Sequence, residues 1–380
     1  MKKAGILTFH KSINYGSVLQ AYALLQTIIK IGNPVEIIDY QQKNYKYLYG
    51  ILRKPCSLDN IKYNLINCCF LKALLTRKKN FENFRKKYLH LSDKRYEYGG
   101  NLEDIVRAYD VLICGSDQIW NPDAKDFDIN FFLPFARRAQ KISYAVSING
   151  GILDTLDNKE ELKDYLMDFD RISVRERSGK ESLSSFLSEK KEISVVLDPT
   201  LLWKKEEYDK ICSSRLIKEP YIFFYSVNFS DYAVKAAEIL SDRLELPVYT
   251  LYTGRSSAKV MLTRKKIHFC LKTSSPEDFL SLIRNAEFVV TNSFHGTAFS
   301  LIYEKKFYSI GRVDGDKKLI PDERICNVLE LFGIPGRFIS CGELKTVSLK
   351  QEINYSAVNV RRQKLAEESR NYIMRALNEK

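Results

Sequence analysis

Short apolar or β-branched runs that end in Gly, Ser or Asn and pass directly into an apolar helical pattern recur along this chain. That rhythm admits little besides an α/β fold on parallel strands. The plainest instance is 288–302, where Phe288, Val289 and Val290 lead through Asn292, Ser293, His295, Gly296 and Thr297 into the apolar run 298–302. A strand-to-helix turn offers the first amides of the helix to an anion. His295 stands beside that seat, and its titration range near neutrality suits it to moving a proton. The same residues equally suit a plain turn in which His295 fills a gap, so this window alone leaves both readings open.

The rhythm begins with a strand at 4–9, a polar turn from His10 to Gly16, and a helix from Ser17, a good N-cap residue, to Ile31 with Gly32 as its stop. Apolar residues cover most of that helix's circumference, so it should be buried, and a strand at 34–40 completes a βαβ unit. Asn14, Tyr15 and Gly16 thus stand at a helix N-terminus, a second anion seat, although the dinucleotide spacing G-x-G-x-x-G is absent. Further strands are expected at 110–114, 141–147, 172–174 and 193–197. The first of these runs into Gly115, Ser116 and Asp117, where small residues let backbone approach a ligand and Asp117 offers a carboxylate. Trp120 can wall that place, and a turn with a satisfied Asp fits equally well. Arg175 follows 172–174 directly; it can grip a carboxylate or phosphate bidentately, or pair with Glu176 or Asp170.

Asp198, Pro199 and Thr200 break the rhythm, which restarts with strands at 221–227, 247–251, 287–290 and 307–310. Helices are expected at 230–244, at 275–285, at 322–332 with Arg324 inside, and at 354–377. The expected organisation is a Rossmann-like domain over 1–202 with a basic helical insertion at about 44–98, and a second such domain over 215–345. The terminal segment 354–380 is expected to pack back on the first domain. Two domains of this kind facing a cleft would line it with strand ends, the usual ligand location in open α/β sheets.

With 380 residues, 45% of them hydrophobic, the chain can fill two cores. No apolar stretch approaches a membrane span and the start is a poor signal peptide, so a cytoplasmic protein is expected. The 8 cysteines show no C-x-x-C spacing, which argues for reduced, mostly buried thiols and against a zinc site. Of the net charge of +13, the segment 44–98 supplies +9, from 13 Lys and Arg against 4 Asp and Glu. It also carries many leucines and isoleucines. It therefore reads either as a solvated helical insertion or as a surface for an anionic membrane or a lipid-linked acceptor. Concentration of the charge in one insertion, with no recognised motif, argues against a nucleic-acid-binding protein, one alternative reading.

Five windows together resemble the polysaccharide pyruvyl transferase family. They are Asn14-Tyr15-Gly16-Ser17-Val18-Leu19-Gln20-Ala21-Tyr22-Ala23-Leu24, Gly115-Ser116-Asp117-Gln118-Ile119-Trp120-Asn121-Pro122, Ser173-Val174-Arg175-Glu176, Leu197-Asp198-Pro199-Thr200 and Ser293-Phe294-His295-Gly296-Thr297. Each is weak alone; in this order, each at an expected strand end, they cover nearly the whole chain. The resemblance implies a two-domain GT-B-like fold and transfer of a pyruvyl group from phosphoenolpyruvate to a sugar as a cyclic ketal. The sugar would belong to a surface polysaccharide, such as a capsule or exopolysaccharide, or to its lipid-linked precursor. Arg175 and His295 map onto the family's donor-site residues. Where some members have an acidic residue after the glycine of the first motif, this chain has Ser17, which sets it in a branch with poorly defined acceptors.

The expected roles follow. Phosphoenolpyruvate would be held by Arg175 and by the turn of Ser293, Gly296 and Thr297, with Asn14, Tyr15, Gly16, Ser116 and Arg324 as further binding residues. His295 would be the general acid, and Asp117 would orient or deprotonate an acceptor hydroxyl. No metal and no cofactor beyond the donor is expected. A GT-B glycosyltransferase using a nucleotide sugar is the other enzymatic reading.

Overall fold

A computed structural model describes residues 2–136, 139–148, 153, 156, 158–316 and 318–378. The chain divides into two compact units, one comprising Met1–Gly50, Arg85–Trp203 and Arg362–Lys380, the other Ile51–Phe84 and Lys204–Arg361. The division after Trp203 follows the Asp198-Pro199-Thr200 break. Of the basic segment, Ile51–Phe84, with the helix Leu58–Cys69 and most of the helix Leu71–Tyr88, falls in the second unit, not in the first where its sequence position puts it. A hydrogen bond from Arg77 to the Thr253 carbonyl (3.3 Å) and an ion pair of Asp59 with Arg255 (2.7 Å) tie it there.

Among the described residues the first unit carries seven strands: β1 (Ala4–Leu7), β2 (Val35–Gln41), β3 (Leu91–Glu97), β4 (Val111–Asp117), β5 (Gln140–Val146), β6 (Ile172–Val174) and β7 (Ile193–Val195). Their order is β3-β2-β1-β4-β5-β6-β7, and every pairing is parallel. The second unit carries β8 (Ile222–Tyr225), β9 (Val248–Leu251), β10 (Ile267–Cys270), β11 (Phe288–Thr291), β12 (Lys306–Gly311) and β13 (Phe338–Ser340). Their order is β10-β9-β8-β11-β12-β13, again all parallel. In each sheet the chain winds outward in one direction and then in the other. The direction reverses between β1 and β4 in the first sheet, and between β8 and β11 in the second.

The helix Tyr15–Ile31 shows why the local sequence folds as it does. Asn14, not Ser17, is its N-cap: its side chain accepts from the Gly16 amide at 2.9 Å, which leaves Ser17 inside the first turn. At the other end Gly32 sits at φ 102°, a left-handed cap that returns its amide to Ile28 and Ile29. The helix is buried nearly all round because the turn Pro199–Leu202 covers the side turned away from the sheet. Trp203 fixes that cover by donating to Thr27 Oγ1 at 2.8 Å, and Arg370 of the terminal helix Tyr355–Asn378 donates to the Leu202 carbonyl at 2.7 Å.

Strands β3, β10 and β13 lie where no strand was expected. Only one of the eight unpaired cysteines, Cys114, is buried, while Cys56, Cys68 and Cys69 are exposed, a correction to the expected pattern. Those three lie in the basic segment, Cys68 and Cys69 at the end of the helix Leu58–Cys69.

Candidate functional site

In the first unit the switch point between β1 and β4 is bounded by the loop from His10 to Asn14 and by the end of β4. That strand continues through Gly115 and Ser116 to Asp117, because Gly115 pairs with Tyr144 and Asp117 with Val146 of β5. The close packing of Gly115 allows this: a Cβ there would come within 2.6 Å of Leu24. Asp117 takes φ 70°, a conformation costly for most residues but accessible to Asp, and its side chain accepts a 2.6 Å hydrogen bond from Ser17. Tyr15 and Gly16 are buried and hold the turn, and Trp120 is fully buried, stacked on Phe132 at 5.1 Å and donating to the Phe131 carbonyl at 3.0 Å. The tryptophan is therefore core, not a wall of the site.

Ser116, Arg175, Glu176 and Asp198 form one buried network. Asp198 Oδ2 accepts from Ser116 Oγ at 3.1 Å and from the Arg175 guanidinium at 3.0 Å, and its Oδ1 accepts from the amide and hydroxyl of Thr200 at 2.9 and 2.7 Å. Glu176 Oε1 accepts from Arg175 Nε at 2.6 Å and from Ser147 Oγ at 3.0 Å. Burial works against the charge on Arg175, but Glu176, Asp198 and Asp117 outweigh it and raise its pKa further. Arg175 pairs with Glu176 and Asp198, whereas the Asp170 carboxylate is engaged by the Lys141 amide at 2.7 Å. The Asp198-Pro199-Thr200 motif is thus the anchor of this network.

The switch point of the second unit lies between the loops after β8 and β11. Here the helix Phe294–Ile302 begins so close to β11 that a Cβ on Gly296 would lie 2.2 Å from Thr291 Oγ1. Thr291 itself donates to the Tyr225 carbonyl at 2.7 Å and accepts from the Ser293 amide at 3.0 Å, so the turn is braced against β8. Thr297 is committed to the fold: its amide and hydroxyl reach the Ser293 carbonyl at 3.0 and 3.1 Å, and its hydroxyl meets Ser309 at 2.7 Å. His295 is 6% exposed, edge-on to Phe294 at 5.1 Å. Asn292 bridges the two loops, its amide nitrogen donating to Asn228, Ser230 and Tyr232 at 3.2 to 3.3 Å. Arg324 is turned to its own helix cap, holding Asp322 through Nε at 3.0 Å and a second nitrogen at 2.6 Å.

The model of the polysaccharide pyruvyl transferase family matches residues 14–314, a span that takes in all five windows and the whole of the second switch point, and begins at the last residue of the loop that bounds the first. The chain belongs to the polysaccharide pyruvyl transferase family. No curated protein matches its sequence. Among solved structures it is similar to a UDP-GlcNAc 2-epimerase from Neisseria meningitidis bound to UDP-GlcNAc, with 10% identity, TM-score 0.51 and 100% of each chain covered. It is also similar to a Staphylococcus aureus MnaA–UDP structure (12%, 0.50, 100% of this chain and 97% of that one) and to apo OtsA (9%, 0.50, 100% of each). At such identities the likeness speaks for the fold alone, which is GT-B-like.

This pyruvyl transferase family member carries polar residues at the first switch point that the sequence pattern presents only as a turn. His10 is fully buried, its ring nitrogens 3.1 Å from the Thr8 carbonyl and 3.3 Å from Asp39, and Lys11 reaches the same Asp39 oxygen at 2.7 Å. Burial lowers the pKa of both cations; it pushes Asp39 upward, but His10 and Lys11 overcome it and hold that carboxyl below its usual range. Next to them Ser12 meets the Tyr49 hydroxyl at 2.6 Å, which donates to Asp126 at 3.0 Å. Burial, with the charge of Asp117 nearby, raises the Asp126 carboxyl. A His-Lys pair directly at the end of the first strand was the available signal; the partners, tens of residues away, carried none. Among the described residues no group of three or more His, Cys, Asp or Glu side chains is placed to hold a metal ion.

Proposed function

We propose that this chain transfers the pyruvyl group of phosphoenolpyruvate to two hydroxyls of one sugar, within a surface polysaccharide or its lipid-linked precursor. The observation that supports it most is the family match across 14–314, with three of the five motif windows, those of Asn14, Asp117 and His295, at the switch points of the two sheets, where open α/β sheets take ligands.

In this reading His295 gives a proton to the methylene carbon of the donor, which leaves the central carbon electron-poor. One sugar hydroxyl adds there and loses its proton, the C–O bond to phosphate breaks, and the second hydroxyl closes the ketal as its proton leaves. Ser293 and Gly296 supply the helix start that faces the donor's negative charge. Asp117, held by Ser17, orients or accepts the proton of a sugar hydroxyl, and Asn14, Tyr15, Gly16 and Ser116 shape that seat. For Arg175 the reading demands an exchange: the guanidinium must release Asp198 or Glu176 to take an anionic group of the donor. Arg324 would likewise have to share its hold on Asp322.

The test is incubation with phosphoenolpyruvate and candidate lipid-linked oligosaccharides, reading phosphate release and the ketal product by mass spectrometry. The GT-B-like fold would serve one second reading equally, a nucleotide-sugar donor, since proteins of this fold have been solved with UDP and UDP-GlcNAc. Release of nucleotide in place of phosphate would establish it and remove the first.

A further inference from the structure

Helices on a protein surface normally turn polar residues outward. The helix Leu58–Cys69 does the reverse. Leu58 is 77% exposed and Leu65 64%, and Ile61, Cys68 and Cys69 are exposed with them. At 100° per residue these five fall within an arc of about 100° on one side of the helix. Its opposite side faces inward through the buried Asn67, whose amide donates to the Ile51 carbonyl at 2.7 Å. The next helix, Leu71–Tyr88, continues the exposed apolar surface with Leu71 and Leu75.

The charge around this stripe is one-sided. Between residues 51 and 79 there are seven Lys and Arg and a single acid, Asp59, which is neutralised by Arg255. Lys54, Lys62, Lys72 and Lys79 are exposed beside the leucines. Pairing this face with itself in a two-fold dimer would press lysines against lysines. An exposed leucine stripe rimmed by lysine instead matches a bilayer whose headgroups are anionic and whose acyl boundary lies a few ångströms beneath.

We infer that the outward face of residues 58–75 is a docking surface for an anionic lipid bilayer. The leucines enter the headgroup–acyl boundary and the lysines lie among the headgroups. The helix Leu58–Cys69 is too short and too polar on its inner side to span the bilayer, and none of the described helices is long and apolar enough to do so.

The test is co-sedimentation of the full chain with vesicles of phosphatidylcholine plus phosphatidylglycerol, against phosphatidylcholine alone. Binding is expected only to the anionic vesicles and should weaken as salt is raised. Each exposed lysine near such a surface contributes roughly fivefold, so Lys62→Glu/Lys72→Glu/Lys79→Glu should cost at least about a hundredfold in partition. Leu58→Asp/Leu65→Asp should abolish binding while the circular dichroism spectrum stays that of the wild type. Failure of the wild-type chain to bind, or undiminished binding by the leucine variant, overturns the inference. So does a wild-type dimer in light scattering that the leucine variant converts to monomer without any vesicle binding. None of these readouts depends on turnover, so they succeed or fail apart from the proposed transfer reaction.

Discussion

Ser17 Oγ donates to Asp117 Oδ2 at 2.6 Å and thereby joins the first turn of the helix that follows β1 to the end of β4, across the switch point of the first sheet. Together with the Gln118 amide, which donates to Asp117 Oδ1 at 3.0 Å, the bond fixes the direction of a carboxylate on a left-handed backbone position. Ser17→Ala should cost about 1.5–3 kcal/mol, the range for a hydrogen bond to a charged group. Urea unfolding checks this. If Asp117 handles the acceptor, the same variant should raise the acceptor KM more than the donor KM, and equal effects on both would remove Asp117 from that role.

Arg175 carries a heavier structural load than its place at a strand mouth suggests. Removing it leaves Asp198 and Glu176 buried with charge and no cation, so Arg175→Ala should destabilise the chain by about 3–5 kcal/mol. Donor binding must therefore be read on a folded variant, and Arg175→Lys in an Asp198→Asn background is the appropriate one. A raised KM for phosphoenolpyruvate with unchanged thermal midpoint would support donor contact. An unchanged KM would leave Arg175 a purely structural ion-pair centre.

His295→Asn keeps size and hydrogen-bonding capacity but cannot act as an acid near neutrality. Turnover should fall by about 10²–10⁴-fold, the usual worth of a general acid. Phosphate release under saturating donor is the measurement, with the thermal midpoint as control for folding. Turnover like the wild type's would withdraw the assignment.

Gly296 is required by proximity, not by backbone conformation. An alanine there places Cβ 2.2 Å from Thr291 Oγ1, and the overpacking should cost about 1–3 kcal/mol or more. Thr291→Ala made in the same chain should restore part of the loss, because it removes the nearest clashing atom and leaves only the Cβ of residue 291, at 2.9 Å, and Tyr225 Cδ1, at 3.0 Å, in close contact. Calorimetry on the single and double variants decides it, and additive losses would show that the clash is relieved elsewhere.

The alternation of strand, small-residue turn and apolar helix was readable because each sheet's central strands are buried on both faces and must be apolar. β3, with the sequence Leu91 to Glu97, escaped for the opposite reason: it is an edge strand whose Asp93, Lys94 and Arg95 are exposed. β10 was hidden by the basic residues that precede it. The motif residues at the strand ends were legible as candidates, but their partners were not. That Arg175 would face Asp198, and Ser17 Asp117, depends on strand order, and no local pattern encodes strand order. Trp120 was misread for a related reason, since only the packing of Phe131 and Phe132 beneath it reveals that it is core.

His10 gives the fold a pH dependence with a definite sign. Burial lowers its pKa from the ordinary value of 6.5, and its bond to Asp39 recovers only part of the loss. The unfolded chain therefore takes up this proton first as pH falls. The stability His10 contributes is complete above about pH 6.5 and is lost as pH drops through the depressed folded value. Asp39, whose folded pKa is also depressed, adds a loss of the same sign, but only below the ordinary carboxylate range. Asp126, with a raised pKa, acts oppositely: its contribution is present at low pH and fades as pH rises through the folded value. Comparison with His10→Gln, which keeps hydrogen-bonding capacity but cannot titrate, separates these. Between about pH 5 and 7 the thermal midpoint of the wild type should fall more steeply with acidification than that of the variant. Parallel slopes would mean that His10 is as easily protonated in the fold as in the open chain, and that the buried Asp39 carboxylate fully compensates its desolvation.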